Sequence, residues 1–365
     1  MKISEITSHL DSLFQPHYQE EWDNCGLLVG DASQEATGAL VALDVTPDVV
    51  EEAMEKGYNL IASHHPLIYK GVKRITPSTE QGRMLLTLAR HGICVYAAHT
   101  DLDNQANGVS GTLARRLGLE RVRPLQPKEG LLKKLVTYAP VAHAAAVRNS
   151  LFQASAGGIG NYDACSYNTQ GEGTFRPGQG AHPFVGALGE LHAEPETRIE
   201  VVYEARMERA LLAALLAAHP YEEPAYDLIP ITNAYPKIGA GAIGWLPQPM
   251  EMAAFLLHVR QALGLPLARI SPLRRGAMAH HVAMCGGSGA FLIEEAKAQG
   301  ADLYLCGDLK YHDFQLADGN MALADIGHYE SEQFAKEIIS TAIREKFRTF
   351  ACEISQRGKS LVSYI

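Results

Sequence analysis

The stretch Val50-Glu-Glu-Ala-Met-Glu-Lys-Gly-Tyr-Asn-Leu60-Ile-Ala-Ser-His64-His65-Pro66 decides the fold class. It reads as the end of an amphipathic helix, a glycine C-cap at Gly57, and entry into a short apolar strand over 60–62. The same EEAxxxGxxL spacing returns in Ile293-Glu-Glu-Ala-Lys-Ala-Gln-Gly-Ala-Asp-Leu303. An apolar run precedes each copy, at 39–45 and at 281–285, so each reads as a βαβ unit with parallel strands. The expected class is α/β, with two similar halves carrying parallel-rich sheets. Three apolar runs, 60–62, 93–98 and 321–326, are each followed by imidazoles or carboxylates. Open α/β sheets place their chemistry at such strand ends.

Between the halves the texture changes. A strand at 131–138 and a helix at 141–154 lead into a glycine-rich stretch, Gly171-Glu-Gly-Thr-Phe-Arg-Pro-Gly-Gln-Gly180. A strand at 197–203, a helix at 207–219 and a strand at 225–231 follow. This βαββαβ order is ferredoxin-like (α+β) and suits an insertion into a surface loop. The expected domains are 1–127, an insertion at 128–232, and 233–365.

At 365 residues the chain exceeds one ordinary domain, and 47% hydrophobic with 20% charged residues is the balance of a water-soluble globular protein. A net charge of −9 argues against a phosphate-binding nucleic-acid surface, which needs clustered Lys and Arg. No apolar run reaches the ~20 residues of a membrane span, and the N-terminus has no signal-peptide pattern. The six cysteines form no CxxC pair and read as reduced core thiols, which places the chain in the cytoplasm.

His64 and His65 close the first strand, with proline after them. Adjacent strand residues point to opposite faces, but a turning backbone lets each imidazole serve a different ion. His99-Thr-Asp-Leu-Asp103 follows the second strand; kept extended, it would set His99, Asp101 and Asp103 on one side. His328-Tyr-Glu-Ser-Glu332 follows the third and opens a helix expected at 331–346. Its i, i+4 spacing puts His328 and Glu332 on one face and sends Glu330 to solvent. Imidazoles and carboxylates without thiolates suit Zn, Fe or Mn rather than a structural Cys-type zinc. The ligand set His64, His65, Asp103, His328 and Glu332 exceeds one ion, and a bridging carboxylate such as Glu332 implies two divalent ions per chain.

Gly239-Ala-Gly-Ala-Ile-Gly244 matches GxGxxG but lacks the following βαβ unit and acidic residue, so close backbone packing is expected there. Gly286-Gly-Ser-Gly289 lies between a strand and a helix, as either an anion-holding or a merely tight turn. Gly307-Asp-Leu-Lys-Tyr-His-Asp313 puts Lys310 and His312 near the same edge. Ser288, Lys310 and His312 are therefore the substrate-binding candidates, and His99 is the candidate for proton transfer.

Glu21-Trp-Asp-Asn-Cys-Gly-Leu-Leu-Val-Gly30, the HHP and HTDLD segments, the GGSG turn, GDLKYHD and GHYESE together resemble one family. It is that of the GTP cyclohydrolase 1 type 2 homologues, the Nif-three-like dinuclear-metal proteins. The resemblance implies two ions held by His64, His65, Asp103, His328 and Glu332, with His99 beside them. His219-Pro-Tyr-Glu-Glu-Pro-Ala-Tyr226 resembles the PII-like insertion of the longer bacterial members. Ala242 stands where the family often carries arginine. The resemblance further implies a homo-oligomer, a hexameric ring, acting on a small-molecule substrate. That substrate is a nucleotide if the reaction is hydrolytic opening of the guanine imidazole ring of GTP. The alternative is a non-catalytic metal-handling or regulatory protein whose insertion senses a ligand.

Overall fold

The helix Pro47–Lys56 opens where the Thr46 hydroxyl accepts the Val49 N–H, with Pro47 at its first turn. It closes at Gly57, whose φ of 67° is a left-handed conformation that costs glycine nothing. The chain then enters the strand Leu60–Ser63, every residue of which is buried. This unit recurs: Met278–Ser288, the short helix Ile293–Ala298 and Leu303–Gly307 form a second parallel βαβ.

In the computed structural model, which describes residues 1–364, the chain divides into two units. One comprises 1–127 and 236 onward; the other is Lys128–Tyr235. The first is mixed α/β and holds a five-stranded and a six-stranded sheet. A five-stranded sheet runs in the order Gly26–Val29, Cys94–Ala97, Leu60–Ser63, Ala39–Ala42, Cys352–Ile354, parallel except for its first pair. Alternate residues of these strands serve separate cores. Val41, Leu60, Ala62 and Tyr96 pack with Ile6, Leu10, Ile339 and Ile343 on one face. Leu40, Ala42, Ile61 and Val95 pack with Val49, Ala53 and Leu88 on the other. Central parallel strands covered by helices on both faces explain the unbroken apolar runs of the sequence.

The six-stranded sheet runs Arg269–Ile270, Ala322–Asp325, Leu303–Gly307, Met278–Ser288, Ala242–Glu251, Glu120–Arg123, and its helices likewise cover both faces. Each sheet borrows an edge strand from the other end of the chain, since Cys352–Ile354 joins the first and Glu120–Arg123 the second. The division at 127 and 233 expected from the sequence is therefore not a clean separation of sheets. Covering an exposed strand edge needs a partner, which need not be near in sequence. Ala242–Glu251 continues through Pro247, with a register shift between Trp245 and Met250. Gly239 and Gly244 sit against the backbones of Gln126 and Glu120, where any Cβ would collide. That is the close packing expected of this glycine run.

The second unit has four antiparallel strands in the order Tyr226–Pro230, Leu132–Pro140, His192–Glu204, Tyr167–Phe175. Its helices Ala144–Gln153 and Glu208–Ala218 pack Val147, Leu151, Leu211 and Leu215 onto Leu135, Ile199 and Val201. Among the described residues no helix is long and apolar enough to cross a membrane.

Candidate metal centre

The two central strands of the first sheet deliver the first ligands. His64 and His65 extend the ladder, their N–H groups bonding to the carbonyls of Ala42 and Leu43, and the Ser63 hydroxyl donates to the His65 carbonyl. The turn brings both rings to the same cluster, centroids 5.0 Å apart. After Cys94–Ala97 the chain does not stay extended but coils into the helix Thr100–Asp103. Helical rotation parts the three candidates of HTDLD. Asp103 turns to the cluster and His99 flanks it. Asp101 turns away, with Oδ1 accepting the Leu102 N–H, Oδ2 unpartnered among the described residues, and burial pushing its carboxyl up to about 6.

The third segment forms its own short helix, His328–Glu332, separate from Ala335–Lys346, where the sequence suggested one helix from 331. His328 Nε2 lies 2.9 Å from Glu332 Oε2, as i, i+4 spacing allows. Glu330 is buried rather than solvated, because the short helix turns it onto the chain beside Gly327. Gly287, at φ 63°, lies beneath Glu332, whose carboxylate occupies the place a Cβ would need. The Gly286 and Gly287 N–H groups are donated to the hydroxyls of Ser110 and Ser331. These bonds make the GGSG segment a tight support for Glu332 and leave neither N–H free for an anion.

Three overlapping triads result: His64, Asp103 and Glu332; His65, His328 and Glu332; and His64, His65 and His99, the ligand atoms of each within 4.8 Å of one another. Glu332 joins the first two. Its side chain is 4% exposed and lies 2.9 Å from His65 Nε2 and 3.9 Å from His64 Nε2. His64 is fully buried, and its Nδ1 bonds to the Ala98 carbonyl at 2.7 Å. A carbonyl only accepts, so Nδ1 carries the proton and Nε2 presents a lone pair. That lone pair faces Asp103 Oδ1 at 3.6 Å, and both atoms are buried without a hydrogen-bond partner among the described residues. Two acceptors facing each other in a buried site need a proton or a metal ion between them, and the imidazole and carboxylate donor set fits a metal ion.

Burial and mutual contact shift the titration of these groups. Burial holds His64 neutral, below the usual histidine range. Burial, reinforced by the Glu332 charge, raises the Asp103 carboxyl. Burial also opposes charge on Glu332, yet the His328 and His65 nitrogens at 2.9 Å, with the His64 ring close by, hold it well below the carboxylate range. For His65 burial is likewise outweighed, by hydrogen bonds to Asp44 and Glu332 that lift it to about 10. His328 is lifted to about 9 by Glu332 and Asp308 against burial.

Three carboxylates that sequence reasoning passed over orient these imidazoles. Asp44 Oδ1 lies 2.7 Å from His65 Nδ1, Asp308 Oδ2 lies 2.7 Å from His328 Nδ1, and Asp23 Oδ1 lies 2.8 Å from His99 Nδ1. Each frees Nε2 for the cluster, the usual arrangement behind a ligating histidine. Burial would raise Asp23, but hydrogen bonds from His99 and Thr100 and the Asn24 N–H hold it far below. The available signal was positional: Asp44 and Asp308 follow strands, and Asp23 lies in the WDNCG segment.

A cavity beside the cluster is lined by His99, Asp103, Ser288, His328 and Glu332, with Trp22, Tyr69 and Phe291 among its walls. Of the three substrate-binding candidates Ser288 lies on it. Lys310 and His312 are exposed and line neither this cavity nor the adjoining one around His65 and Tyr364.

The family described as Duf34/NIF3 (NGG1p interacting factor 3) has a sequence model that matches residues 1–359. A Mycobacterium leprae protein named GTP cyclohydrolase 1 type 2 homolog is 37% identical over 336 residues, 91% of this chain and 87% of that protein. A Bacillus subtilis protein of the same name is 38% identical over 325 residues, covering 88% and 86%. The crystal structure of a Bacillus cereus protein related to NIF3 superposes with a TM-score of 0.83 at 34% identity. That superposition covers 100% of this chain and 99% of that one.

Proposed function

The chain belongs to the Duf34/NIF3 family, and from that premise we propose that it is a hydrolase working with two divalent ions. The observation that carries this reading is the buried, unpartnered pair of His64 Nε2 and Asp103 Oδ1 beside the shared Glu332. His64, Asp103 and Glu332 would hold one ion, and His65, His328 and Glu332 the other. When bound, such a pair supplies Lewis acidity and an activated water for hydrolysis. Asp44 and Asp308 fix the rings of His65 and His328, and the Ala98 carbonyl fixes that of His64. His99, held by Asp23, is the group placed to move a proton.

The cavity walls bear on the substrate. Trp22 and Tyr69 stand 5.7 Å apart, with Trp22 6.0 Å from His99, which suits a planar ring. The cationic partners a triphosphate would need are weakly represented, since Lys310 stands outside and the Gly286 and Gly287 N–H groups are already bonded. Ring-opening of a purine-like substrate therefore has more support than recognition of the GTP phosphates, and one metal site can serve many hydrolyses. The test is metal analysis of purified protein, then a hydrolysis screen of the loaded form with guanosine and GTP side by side. Turnover requiring both ions supports the hydrolase. A loaded protein inert toward nucleosides, nucleotides, esters and amides makes it a metal-handling protein instead.

A further inference from the structure

The unit Lys128–Tyr235 has a cavity of its own, about 540 Å³, lined entirely by residues of that unit. This is within the roughly 300–1,000 Å³ of small-molecule sites. One wall is aromatic: Phe175 and Phe184 stand 5.8 and 6.3 Å from Tyr221, centroid to centroid. Glu196, on the long strand His192–Glu204, brings a carboxylate into this setting while only 8% exposed. Its Oε1 accepts the Tyr221 hydroxyl at 2.9 Å, and no donor among the described residues reaches Oε2. Gly173, on the neighbouring strand, lies against Oε2, where any Cβ would collide. The lining has four carboxylates, Glu172, Glu196, Glu222 and Glu223, against the guanidiniums of Arg176 and Arg198, and Arg198 is already paired with Glu200.

A buried carboxylate with one neutral donor is poorly compensated, and a charged N–H donor is its natural partner. Aromatic faces around it attract the same positive charge and pack the carbon body that carries it. We infer that this cavity binds a small organic cation, an amidinium, guanidinium or primary ammonium. Its N–H group donates to Glu196 Oε2 and its carbon body lies against Phe175, Phe184 and Tyr221. This site shares no residue with the metal centre and stands whether or not the chain is a hydrolase.

Isothermal titration of the full-length protein with benzamidine and with agmatine tests it, with ATP and citrate as anionic comparisons. At least one cation should bind saturably at one site per chain, and neither anion should compete. Glu196→Gln keeps the shape and the Tyr221 hydrogen bond but removes the charge, and should weaken binding at least tenfold at unchanged metal content. If that variant does not fold, Phe184→Ser, at a ring already half exposed, should give a comparable loss. No saturable binding of either cation at millimolar concentration, full affinity in the folded variants, or displacement by ATP overturns the inference.

Discussion

At the scale of the residue, Glu332 does the most, because its two oxygens face three histidines from within the protein. Glu332→Gln keeps the volume and removes the charge shared by both triads, so metal content should drop from about two equivalents to below one. Asp103→Asn touches one triad, and about one equivalent should remain; mass spectrometry of dialysed, reloaded protein reads both. At most one equivalent in fully loaded wild type would end the two-ion reading. His99 poses a different question, since Asp23 fixes its ring while the assigned ligands are others. If it moves a proton, His99→Ala should lower turnover by ~10²-fold or more with both ions retained. Asp23→Asn should shift the pH profile of the rate without changing metal content. Unchanged turnover in His99→Ala would reduce that residue to packing.

At the scale of the element, short helices set what the strands alone could not. Thr100–Asp103 separates Asp101 from Asp103, and His328–Glu332 turns Glu330 inward. In the inserted unit the chain after Glu208–Ala218 is fixed by His219. Its Nε2 donates to the Tyr138 carbonyl at 2.9 Å, and its Nδ1 accepts the Tyr221 N–H at 3.1 Å. Both nitrogens are thus used by the neutral ring, and burial lowers its pKa in the folded state. A histidine with a depressed folded pKa contributes stability above its unfolded value of about 6.5, lost as pH falls through the folded value. Thermal unfolding of the inserted unit should therefore weaken from pH 7.5 toward pH 5, and His219→Ala should flatten that dependence while lowering stability throughout. An equal pH slope in both proteins would mean that His219 is not its source.

At the scale of the whole molecule, all six residues of the cluster belong to the unit formed by 1–127 and 236 onward. Replacing Lys128–Tyr235 by a short linker should leave two-ion binding intact, and loss of metal from a folded, monodisperse deletion protein would place the insertion in the site. The assembly implied by family resemblance, a hexameric ring, predicts a mass about six times that of the chain by light scattering. A monomer at micromolar concentration would exclude it for this protein.

The residues themselves determined much. Period and capping gave the helix–glycine–strand units, because a left-handed cap and a doubly buried parallel strand leave local compositional marks. The His64, His65, Asp103, His328 and Glu332 set was visible because each member follows an apolar run and is of a ligating type. Other features depended on neighbours remote in sequence. Cys352–Ile354 joins Ala39–Ala42, and Asp44, Asp23 and Asp308 find their imidazoles at separations of 20 to 80 residues. The Gly286 and Gly287 N–H groups were spent on serines 176 and 44 positions away, which no local reading of a turn could foresee. Sequence patterns record which face of an element is buried. Only the folded chain decides which charged and polar groups meet there, since hydrogen bonds form by distance in space and leave no period along the chain.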